Sequence, residues 1–521
     1  MSARYRPELI AVAVAAVLGA GYLLLPPFGS DLSAQVARAS FFADHGYTPV
    51  DLRWYAGVDQ LGYSLVSQPV MALLGVRVTG VVALIAAAAL FAVLLHRTGA
   101  AHPRLGALAG ALCIAGNLAS GRVTYGLGVA FGLGALVLLT HPRLRWLAAA
   151  PALLAGATSP VAGLFVGLAG AALLLTGRWR TGLLIAVPAA VPVGLSALLF
   201  GDGGWMNISH TDTTRAVVAA LAVAALVPRA PVRLGALLAA AGVLVAALVH
   251  TPVGLNATRL AVMFTLPVLA GYAALPRRRH EPAGTHANPD RKLPLWAVLL
   301  LLIPVCWWQP PVVVADLRDI GNPSADRAYF EPLLTRLSQE TLTGRVEIPP
   351  TRDYWEAAYL DEVPLARGWL RQADIDRNPL FFDRIPGTRG TGVPLTTDSY
   401  RTWLSELAVQ FIAVPDTEPT WSGRPEAALI TGGLPYLTEI WQNEHWTLYR
   451  VSNPQPIVAA PALLTAQSAT SITFTAESAG NVVLRVRHYR WLKATGGAIV
   501  QQSGPWTLVR VPDAGRYTLH S

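Results

Sequence analysis

The sequence predicts a polytopic α-helical membrane protein that ends in an outer region of mixed α/β and β-sandwich structure. Of its 521 residues 53% are hydrophobic and 14% are charged, whereas soluble domains carry about 25% charged residues. Several apolar runs approach the roughly 20 residues that a helix needs to cross a bilayer. Before residue 309 lie 21 of the 40 basic but only 9 of the 31 acidic residues. The part that follows is balanced in charge and has an ordinary soluble composition.

Eleven apolar runs are expected to form the membrane-spanning helices, about eleven in all. The first resembles a signal peptide but is long and lacks a small-residue cleavage site, so we expect an uncleaved helix. The runs cover residues 9–25, 78–95, 105–120, 123–140, 146–158, 160–176, 182–200, 215–228, 234–250, 259–275 and 294–308. Some are short for a full span. Those that meet at 117–122 and 158–160 are expected to form tight hairpins.

The loop charges predict how the chain is oriented in the membrane. Fifteen basic residues fall in one set of alternate loops, which includes Arg4, Arg6 and a polar linker at 276–293, and six fall in the opposite set. Because Lys and Arg are enriched on the cytoplasmic side, the N-terminus is expected inside and residues 309–521 outside. Positive cytoplasmic loops also account for the pI of about 9.7 without nucleic acid as a partner.

Composition and periodicity predict three regions. Residues 1–308 form a transmembrane domain with a first outer loop at 27–66. Residues 309–455 form an outer mixed α/β domain, with helical spacing at 326–340 and 399–409 and strands at 411–414 and 447–451. Residues 456–521 alternate at period two in the runs 471–475, 482–487, 506–511 and 517–519, which predicts a closing β-sandwich module.

Several kinds of site are excluded by the motifs that the sequence lacks. Cys113 and Cys306 each lie in an apolar run, so they provide neither a disulfide framework nor a metal-ligand pattern. The His residues have no partner at the spacing of a metalloprotease helix, and no metal site is expected. GxGxxG, Walker and GxSxG patterns are also missing, which argues against nucleotide cofactors and hydrolase chemistry.

The first outer loop holds the most informative group of polar and aromatic residues. Asp31 follows the first helix, where a partly desolvated carboxylate could act as a general base with a raised pKa. Asp51 adds a second candidate catalytic carboxylate, Arg53 a guanidinium suited to phosphate, and Trp54 and Tyr55 rings suited to stacking a sugar. The structural alternative is that Asp31 caps a helix and that the aromatic residues anchor the chain at the membrane interface.

A second group of candidate substrate-binding residues lies at the outer ends of later helices and in the outer domain. Arg122, Arg215 and Arg259 are suited to bidentate phosphate contacts, although such arginines also extend toward lipid headgroups. In the polar and aromatic segment 345–356, Trp355 or Glu356 could cap a membrane site. The alternative is that this segment is a structural loop.

The order of these features resembles the GT-C membrane glycosyltransferases. More narrowly, it resembles actinobacterial membrane proteins related to YfhO. The matching stretches are GSDLSAQVARA (29–39), DLRWY (51–55), GNLASGRVTYGLG (116–128), TSPVAGLF (158–165), GLNATRL (254–260), RVEIPPTRDYWEAAYL (345–360) and LPYLTEIWQNEHWTLYRV (434–451).

The resemblance implies an inverting glycosyltransferase in the bacterial cytoplasmic membrane. The donor would be a polyprenyl-phosphate sugar and the acceptor a cell-envelope glycan or lipid, and Asp31 would be the base. Arginines at the outer interface would stabilise the departing phosphate. A divalent metal is optional in this class.

Two other functions remain open at this point. A multi-span transporter or flippase of an envelope lipid is one, although no inverted repeat and no mid-membrane acid for ion coupling are visible. A non-catalytic scaffold that binds a lipid-linked glycan is the other. Substitution of Asp31 separates the enzyme from the scaffold, because an enzyme loses turnover but keeps lipid binding, whereas a scaffold keeps its phenotype.

Overall fold

The structure, a computed structural model, describes residues 7–201, 203–274 and 293–521. Arg4, Arg6 and nearly all of the predicted linker 276–293 lie outside the described residues. The chain divides into two compact units. The first is made of Met1–Gly29, Tyr63–Leu199 and Met206–Ile320, and the second of Ser30–Gly62, Phe200–Trp205 and Gly321–Ser521.

The regular elements are numbered in chain order over the described residues. The α-helices are α1 (Pro7–Leu24), α2 (Leu32–His45), α3 (Ser67–Leu74), α4 (Val76–Arg97), α5 (Pro103–Ala119), α6 (Val123–Leu139), α7 (Ala149–Thr158), α8 (Pro160–Leu175), α9 (Trp179–Leu199), α10 (His210–Leu226), α11 (Ala230–Leu248), α12 (Arg259–Tyr272), α13 (Leu295–Trp308), α14 (Val314–Arg318), α15 (Glu331–Leu337), α16 (Glu356–Tyr359), α17 (Arg371–Arg377), α18 (Thr397–Glu406) and α19 (Arg424–Thr431). The strands are β1 (Val50–Asp51), β2 (Val58–Asp59), β3 (Arg345–Glu347), β4 (Val409–Pro415), β5 (Leu437–Gln442), β6 (Trp446–Val451), β7 (Leu463–Gln467), β8 (Ser471–Ala476), β9 (Gly480–Arg487), β10 (Lys493–Ala494), β11 (Ile499–Ser503), β12 (Trp506–Val511) and β13 (Gly515–His520). Single turns of 3-10 helix lie at Arg145–Ala148, Gly254–Thr258, Pro323–Ala325, Arg327–Tyr329 and Pro379–Phe382.

The first unit is a bundle of apolar helices, and each of the predicted spans corresponds to a helix, α1 or one of α4 to α13. Helices α1, α4, α9, α11 and the Gly254–Tyr272 segment that contains α12 are long and apolar enough to cross a membrane. Helices α5, α6, α8 and α13 are apolar but shorter. The predicted polytopic membrane fold with a β-rich C-terminal part is confirmed.

Small residues let these helices approach closely, which is how helices associate in lipid. Between α8 and α9, a Cβ added at Gly170 would come within 2.7 Å of the carbonyl oxygen of Gly182. A Cβ at Gly182 would come within 2.5 Å of the oxygen of Gly170. Neither position has room for a larger residue unless the two backbones separate.

The two predicted hairpins are present as tight turns. Helix α5 ends at Ala119 and α6 begins at Val123, and Gly121 between them has a φ of +72°, which favours glycine. At the second turn Ser159 separates α7 from α8. Its hydroxyl caps α8 by accepting a hydrogen bond from the amide of Ala162 at 3.4 Å.

In the second unit a four-stranded mixed sheet has the order β3-β4-β6-β5. Strands β3 and β4 are parallel and the remaining pairs are antiparallel. The predicted strands at 411–414 and 447–451 are β4 and β6, and the helical spacing at 326–340 and 399–409 corresponds to α15 and α18. Aromatic side chains of α18, including Tyr400 and Trp403, pack with Ile412 of the sheet in one core.

The C-terminal residues form two antiparallel sheets around one core. Their strand orders are β10-β13-β8-β7 and β11-β12-β9. Phe474 and Leu519 from one sheet and Leu484 and Val509 from the other are buried in the same cluster. The four predicted strand runs correspond to β8, β9, β12 and β13.

The first outer loop is folded within the second unit and contains α2 and the antiparallel pair β1–β2. The amide of Leu52 donates to the carbonyl of Ala469 at 2.7 Å, and the amide of Arg487 donates to the carbonyl of Ala56 at 2.7 Å. Val50 and Leu52 are buried in the core of the two C-terminal sheets. The segment predicted to be a loop of the membrane domain thus contacts the C-terminal strands.

Candidate functional site

Two predicted phosphate-binding residues of the first unit, Arg122 and Arg259, meet at one small pocket. Arg122 is the N-cap residue of α6, and Arg259 is the first residue of α12. Their pocket, called the arginine pocket below, has a volume of about 30 Å³, and Asn117, Ser120 and Tyr125 also line it. The interpretation that these arginines act together agrees with this geometry. Phosphate binding itself stays a prediction.

The backbone reinforces the positive charge of the arginine pocket. The N-terminus of α6 lies at this place, and a helix N-terminus carries a partial positive charge with amide groups that lack helical partners. The guanidinium of Arg259 lies over the ring of Tyr125, with its carbon 5.3 Å from the ring centroid. Guanidinium groups and a helix N-terminus are groups that proteins use to bind anions such as phosphate.

A larger apolar cavity lies in the same unit, among α4, α6, α8, α10, α11 and α12. Its volume is about 330 Å³, and its lining includes Phe91, Leu133, Val166 and Phe264. Nearly all of its lining side chains are apolar, and Tyr125 lines both this cavity and the arginine pocket. Tyr125 thus forms part of the wall of both the arginine pocket and the apolar cavity.

One carboxylate behind the arginine pocket was missed by the sequence reasoning. Asp316 of α14 is 4% exposed, and its Oδ2 accepts a hydrogen bond from Ser120 Oγ at 2.5 Å. Asp316 is the first acidic residue after the last predicted span. The signal that selected Asp31, an acid that follows a membrane helix, would have selected Asp316 as well.

Asp31 lies in the second unit and is half-buried. It occupies the N-cap position of α2, but its side chain makes no capping hydrogen bond, so the helix-cap alternative does not account for this carboxylate. Two side-chain hydrogen bonds within the second unit hold the backbone next to Asp31 in place. Trp369 Nε1 donates to the carbonyl of Ser30 at 3.2 Å, and Ser33 Oγ donates to the carbonyl of Asp353 at 2.5 Å.

Asp51 and Arg53, also predicted as site residues, form a buried ion pair with each other. Asp51 is 0% exposed and accepts hydrogen bonds from Arg53 Nη2 at 2.8 Å and from Gln60 Nε2 at 2.7 Å. It also accepts from the backbone amide and Nε of Arg53, at 2.9 and 3.0 Å. Because its lone pairs are already used, Asp51 has a structural role here, and the prediction that it serves as a base is not supported.

The predicted sugar-stacking residues Trp54 and Tyr55 are buried in the second unit, with 0% and 1% of their surface exposed. The hydroxyl of Tyr55 donates to the carbonyl of Gly368 and accepts from the amide of Leu370 at 3.1 Å. Trp54 packs directly on Gly368. Neither ring presents a free face to a substrate, so their packing with residues 368–370 corrects the stacking interpretation.

Trp355 and Glu356 are buried as well, which favours the structural alternative for the segment 345–356. Trp355 stacks on Tyr359 with ring centroids 5.1 Å apart. Glu356 accepts hydrogen bonds from Thr351 Oγ1 at 2.6 Å and from the amide of Thr351 at 3.2 Å. Burial raises the pKa of Glu356 to about 7.

A buried cluster of acids around Arg367 in the second unit was not predicted. Arg367 Nη1 contacts Glu426 at 2.9 Å, Nη2 contacts Asp374 at 2.8 Å, and Glu347 lies 3.8 Å from Nη1. Tyr400 donates its hydroxyl to Glu426 at 2.9 Å. Burial, and then the neighbouring Glu426, raise the pKa of Glu347. The contacts of the cluster join β3, which carries Glu347, to α17 and α19, which carry Asp374 and Glu426.

Metal ligation is not apparent in the described ranges 7–201, 203–274 and 293–521. Within them, no group of three or more His, Cys, Asp and Glu side chains is placed to hold a metal ion.

No protein-family model and no curated protein matches the sequence. Among solved structures, the chain is similar to the arabinofuranosyltransferase AftD from Mycobacteria at 15% identity, over 92% of this chain and 41% of that one, with a TM-score of 0.46. A variant of AftD matches at 13% identity, over 100% and 60% of the two chains, with a TM-score of 0.47. ArnT from Cupriavidus metallidurans matches at 13% identity, over 86% and 99%, with a TM-score of 0.42. The chain thus spans about two fifths to three fifths of the AftD chains.

Proposed function

We propose that the chain is a membrane glycosyltransferase that moves a sugar from a polyprenyl-phosphate donor to a cell-envelope acceptor at the outer face. The observation that carries this proposal is the shared wall formed by Tyr125. On one side of it lies an arginine pocket suited to a phosphate, and on the other a cavity suited to a hydrocarbon chain. A lipid-linked phosphate has these two chemical parts in the same order.

The roles of the residues follow from where charge develops in sugar transfer. The acceptor hydroxyl loses its proton to Asp31, and its oxygen attacks the anomeric carbon of the donor sugar. The bond from that carbon to the phosphate oxygen breaks with inversion, and polyprenyl phosphate leaves with the electron pair. Arg122 and Arg259 stabilise the negative charge of that leaving group. The role of Asp31 rests on its place in the first outer loop and on the resemblance to GT-C enzymes.

The arginines are tested by binding of polyprenyl phosphate, without sugar, to the purified protein in nanodiscs. A charge-assisted hydrogen bond contributes about 1.5–3 kcal/mol, so Arg122→Gln and Arg259→Gln should each weaken binding by roughly 10- to 100-fold. Arg215→Gln is the matched control, because Arg215 is predicted on the same membrane side but is exposed and lines neither cavity. Equal binding by all three variants would contradict a phosphate site at the arginine pocket.

Catalysis is tested separately, with lipid-linked sugars extracted from a deletion strain and profiled by mass spectrometry. If the protein is a transferase, one sugar-charged polyprenyl phosphate should accumulate in the deletion strain. Expression of the wild-type chain should remove this lipid, whereas expression of Asp31→Asn should not. If Asp31→Asn restores the profile, Asp31 is not the base. If the profile of the deletion strain is unchanged while polyprenyl phosphate still binds, the protein is a lipid-binding scaffold or a flippase.

A further inference from the structure

The arginine pocket is covered by the short segment that connects α13 to α14. Residues 309–313, called the strap below, follow Trp308, and Pro310, Pro311, Val312 and Val313 of the strap line the pocket. The strap lies directly on α5, because a Cβ added at Gly116 would overlap the carbonyl oxygen of Pro311. Gly116 thus provides the space in which the strap rests.

The strap is held at both of its ends within the first unit. Before it, Trp308 Nε1 donates to the carbonyl of Arg215 at 3.2 Å. After it, Asp316 accepts a hydrogen bond from the Ser120 hydroxyl at 2.5 Å. Ser120 itself lines the arginine pocket. The hydrogen bond between Ser120 and Asp316 therefore fixes the strap beside the place where a phosphate would bind.

The arginine pocket is small in this state. Its volume is about 30 Å³, and a cavity needs roughly 10–15 Å³ on this kind of measure for each water that it holds. A phosphate has four oxygen atoms, each about the size of a water, around its phosphorus. Four strap residues form part of the pocket's lining, so displacement of the strap would enlarge the space beside the two arginines.

We propose that the strap is a gate on the donor-phosphate site and that the Ser120–Asp316 hydrogen bond holds it closed. This inference rests on the proposed function, whose phosphate site it regulates. Donor binding displaces the strap, and the Ser120 hydroxyl turns from Asp316 to donate to the phosphate. Ser120 is then a donor-binding residue in the open state, and Asp316 is a positioning residue that sets how often the site is open.

The first experiment locks the strap reversibly. In a background with Cys113→Ala and Cys306→Ala, the pair Ser120→Cys and Asp316→Cys replaces the hydrogen bond by a disulfide that reduction opens. Oxidised protein should bind polyprenyl phosphate much more weakly than the same protein after reduction, and each single cysteine variant should be insensitive to oxidant. Failure of the disulfide to form, or equal binding by oxidised and reduced protein, would overturn the inference.

The second experiment releases the strap without cysteines. If the closed state prevails in about nine of ten molecules, the apparent affinity is lowered about tenfold, so Asp316→Ala should bind polyprenyl phosphate faster and up to tenfold more tightly. Asp319→Ala is the control, since Asp319 is equally buried at 4% whereas it is Asp316 that accepts the hydrogen bond from Ser120. Unchanged association in Asp316→Ala would refute the gate while wild-type binding still upholds the proposed function. Absence of wild-type binding would instead remove the proposed function itself.

Discussion

Asp31 and Asp51, two carboxylates of the second unit, differ in their surroundings. This difference indicates a structural role for Asp51 and leaves Asp31 as the candidate base. Asp51 is enclosed and fully hydrogen-bonded, whereas Asp31 is half-buried and makes no capping bond. A buried ion pair that loses one partner leaves an uncompensated charge, which costs about 3–5 kcal/mol. A half-buried carboxylate keeps part of its hydration, so its exchange for an amide should cost less stability than the exchange of an enclosed one.

Exchange of each acid for its amide is predicted to separate the two roles. Asp51→Asn should lower the free energy of unfolding by about 3 kcal/mol or more, because Arg53 keeps its buried charge without a counterion. Asp31→Asn should abolish sugar transfer and lower the free energy of unfolding by less than Asp51→Asn does, because Asp31 is half-buried. Urea unfolding in detergent measures the first effect, and the lipid-linked sugar profile measures the second. A stable Asp51→Asn protein without transfer would reverse the assignment.

Glu356 provides a prediction about pH, because its pKa is raised from 4.5 to about 7 by burial. The folded protein then binds a proton that the unfolded chain releases above pH 4.5, so this group stabilises the fold fully at acid pH. That contribution, about 3 kcal/mol, is lost as the pH rises through 7. In Glu356→Gln, whose amide oxygen can still accept from Thr351, the loss of stability between pH 4.5 and 7 should be smaller by that amount. If the free energy of unfolding had the same pH dependence in the wild-type protein and in Glu356→Gln, the raised pKa of Glu356 would be contradicted.

At the scale of elements, the sequence predicts helices and tight turns well, but it does not predict contacts between residues that are far apart in the chain. Apolar runs and turn residues gave the positions of the membrane helices and of both hairpins, because these depend on neighbours in the chain. The first outer loop was predicted without α2 and β1–β2, since its hydrogen bonds to Ala469 and Arg487 join residues more than 400 positions apart. The edge strands β7 and β11 were not predicted, because their residues do not alternate regularly between buried and exposed positions.

The candidate site could likewise be predicted only in part, because burial in the folded protein is not visible in the sequence. Arg122 and Arg259 could be grouped because each stands at the start of a helix on the same predicted membrane side. Trp54, Tyr55, Trp355 and Glu356 have the residue types of a sugar site, but only the packing of the second unit reveals that they are buried.

Helix α11 offers a prediction about the apolar cavity, because it carries two glycines in different surroundings. Gly235 lines the cavity and has its nearest neighbours 3.7 and 3.8 Å from an added Cβ, so Gly235→Leu should fit the backbone and fill part of the cavity. Gly242 is exposed, with nothing within 4 Å, and Gly242→Leu gives the helix the same gain in propensity. We expect Gly235→Leu to weaken polyprenyl phosphate binding by about tenfold, comparable to the loss of 1–2 kcal/mol of apolar contact.

The comparison of the two leucine variants isolates the cavity from general effects on the helix. Binding of a water-soluble phosphate without a lipid chain should be unaffected in both, because the arginine pocket is untouched. If Gly235→Leu and Gly242→Leu bound polyprenyl phosphate equally well, the hydrocarbon chain would not occupy this cavity.

At the scale of the whole molecule, the proposal requires that the arginine pocket and the second unit face the outside of the cell. The charge distribution predicts this orientation, with fifteen basic residues in the loops on the side of the N-terminus and six on the other side. A donor carried across the membrane by its lipid is then used where no nucleotide sugar is present. An inverted orientation would put Asp31 and the whole second unit in the cytoplasm.

The orientation is predicted to appear directly in cysteine labelling of intact cells, in a background with Cys113→Ala and Cys306→Ala. Ser338→Cys, at an exposed position after α15, should react with a membrane-impermeant thiol reagent, because the second unit is predicted outside. Thr285→Cys in the basic linker should react only after the cells are permeabilised, since that linker is predicted inside. Protection of Ser338→Cys together with labelling of Thr285→Cys would invert the topology and exclude transfer at the outer face. Labelling of both in intact cells would show instead that the number of spans before the second unit is wrong.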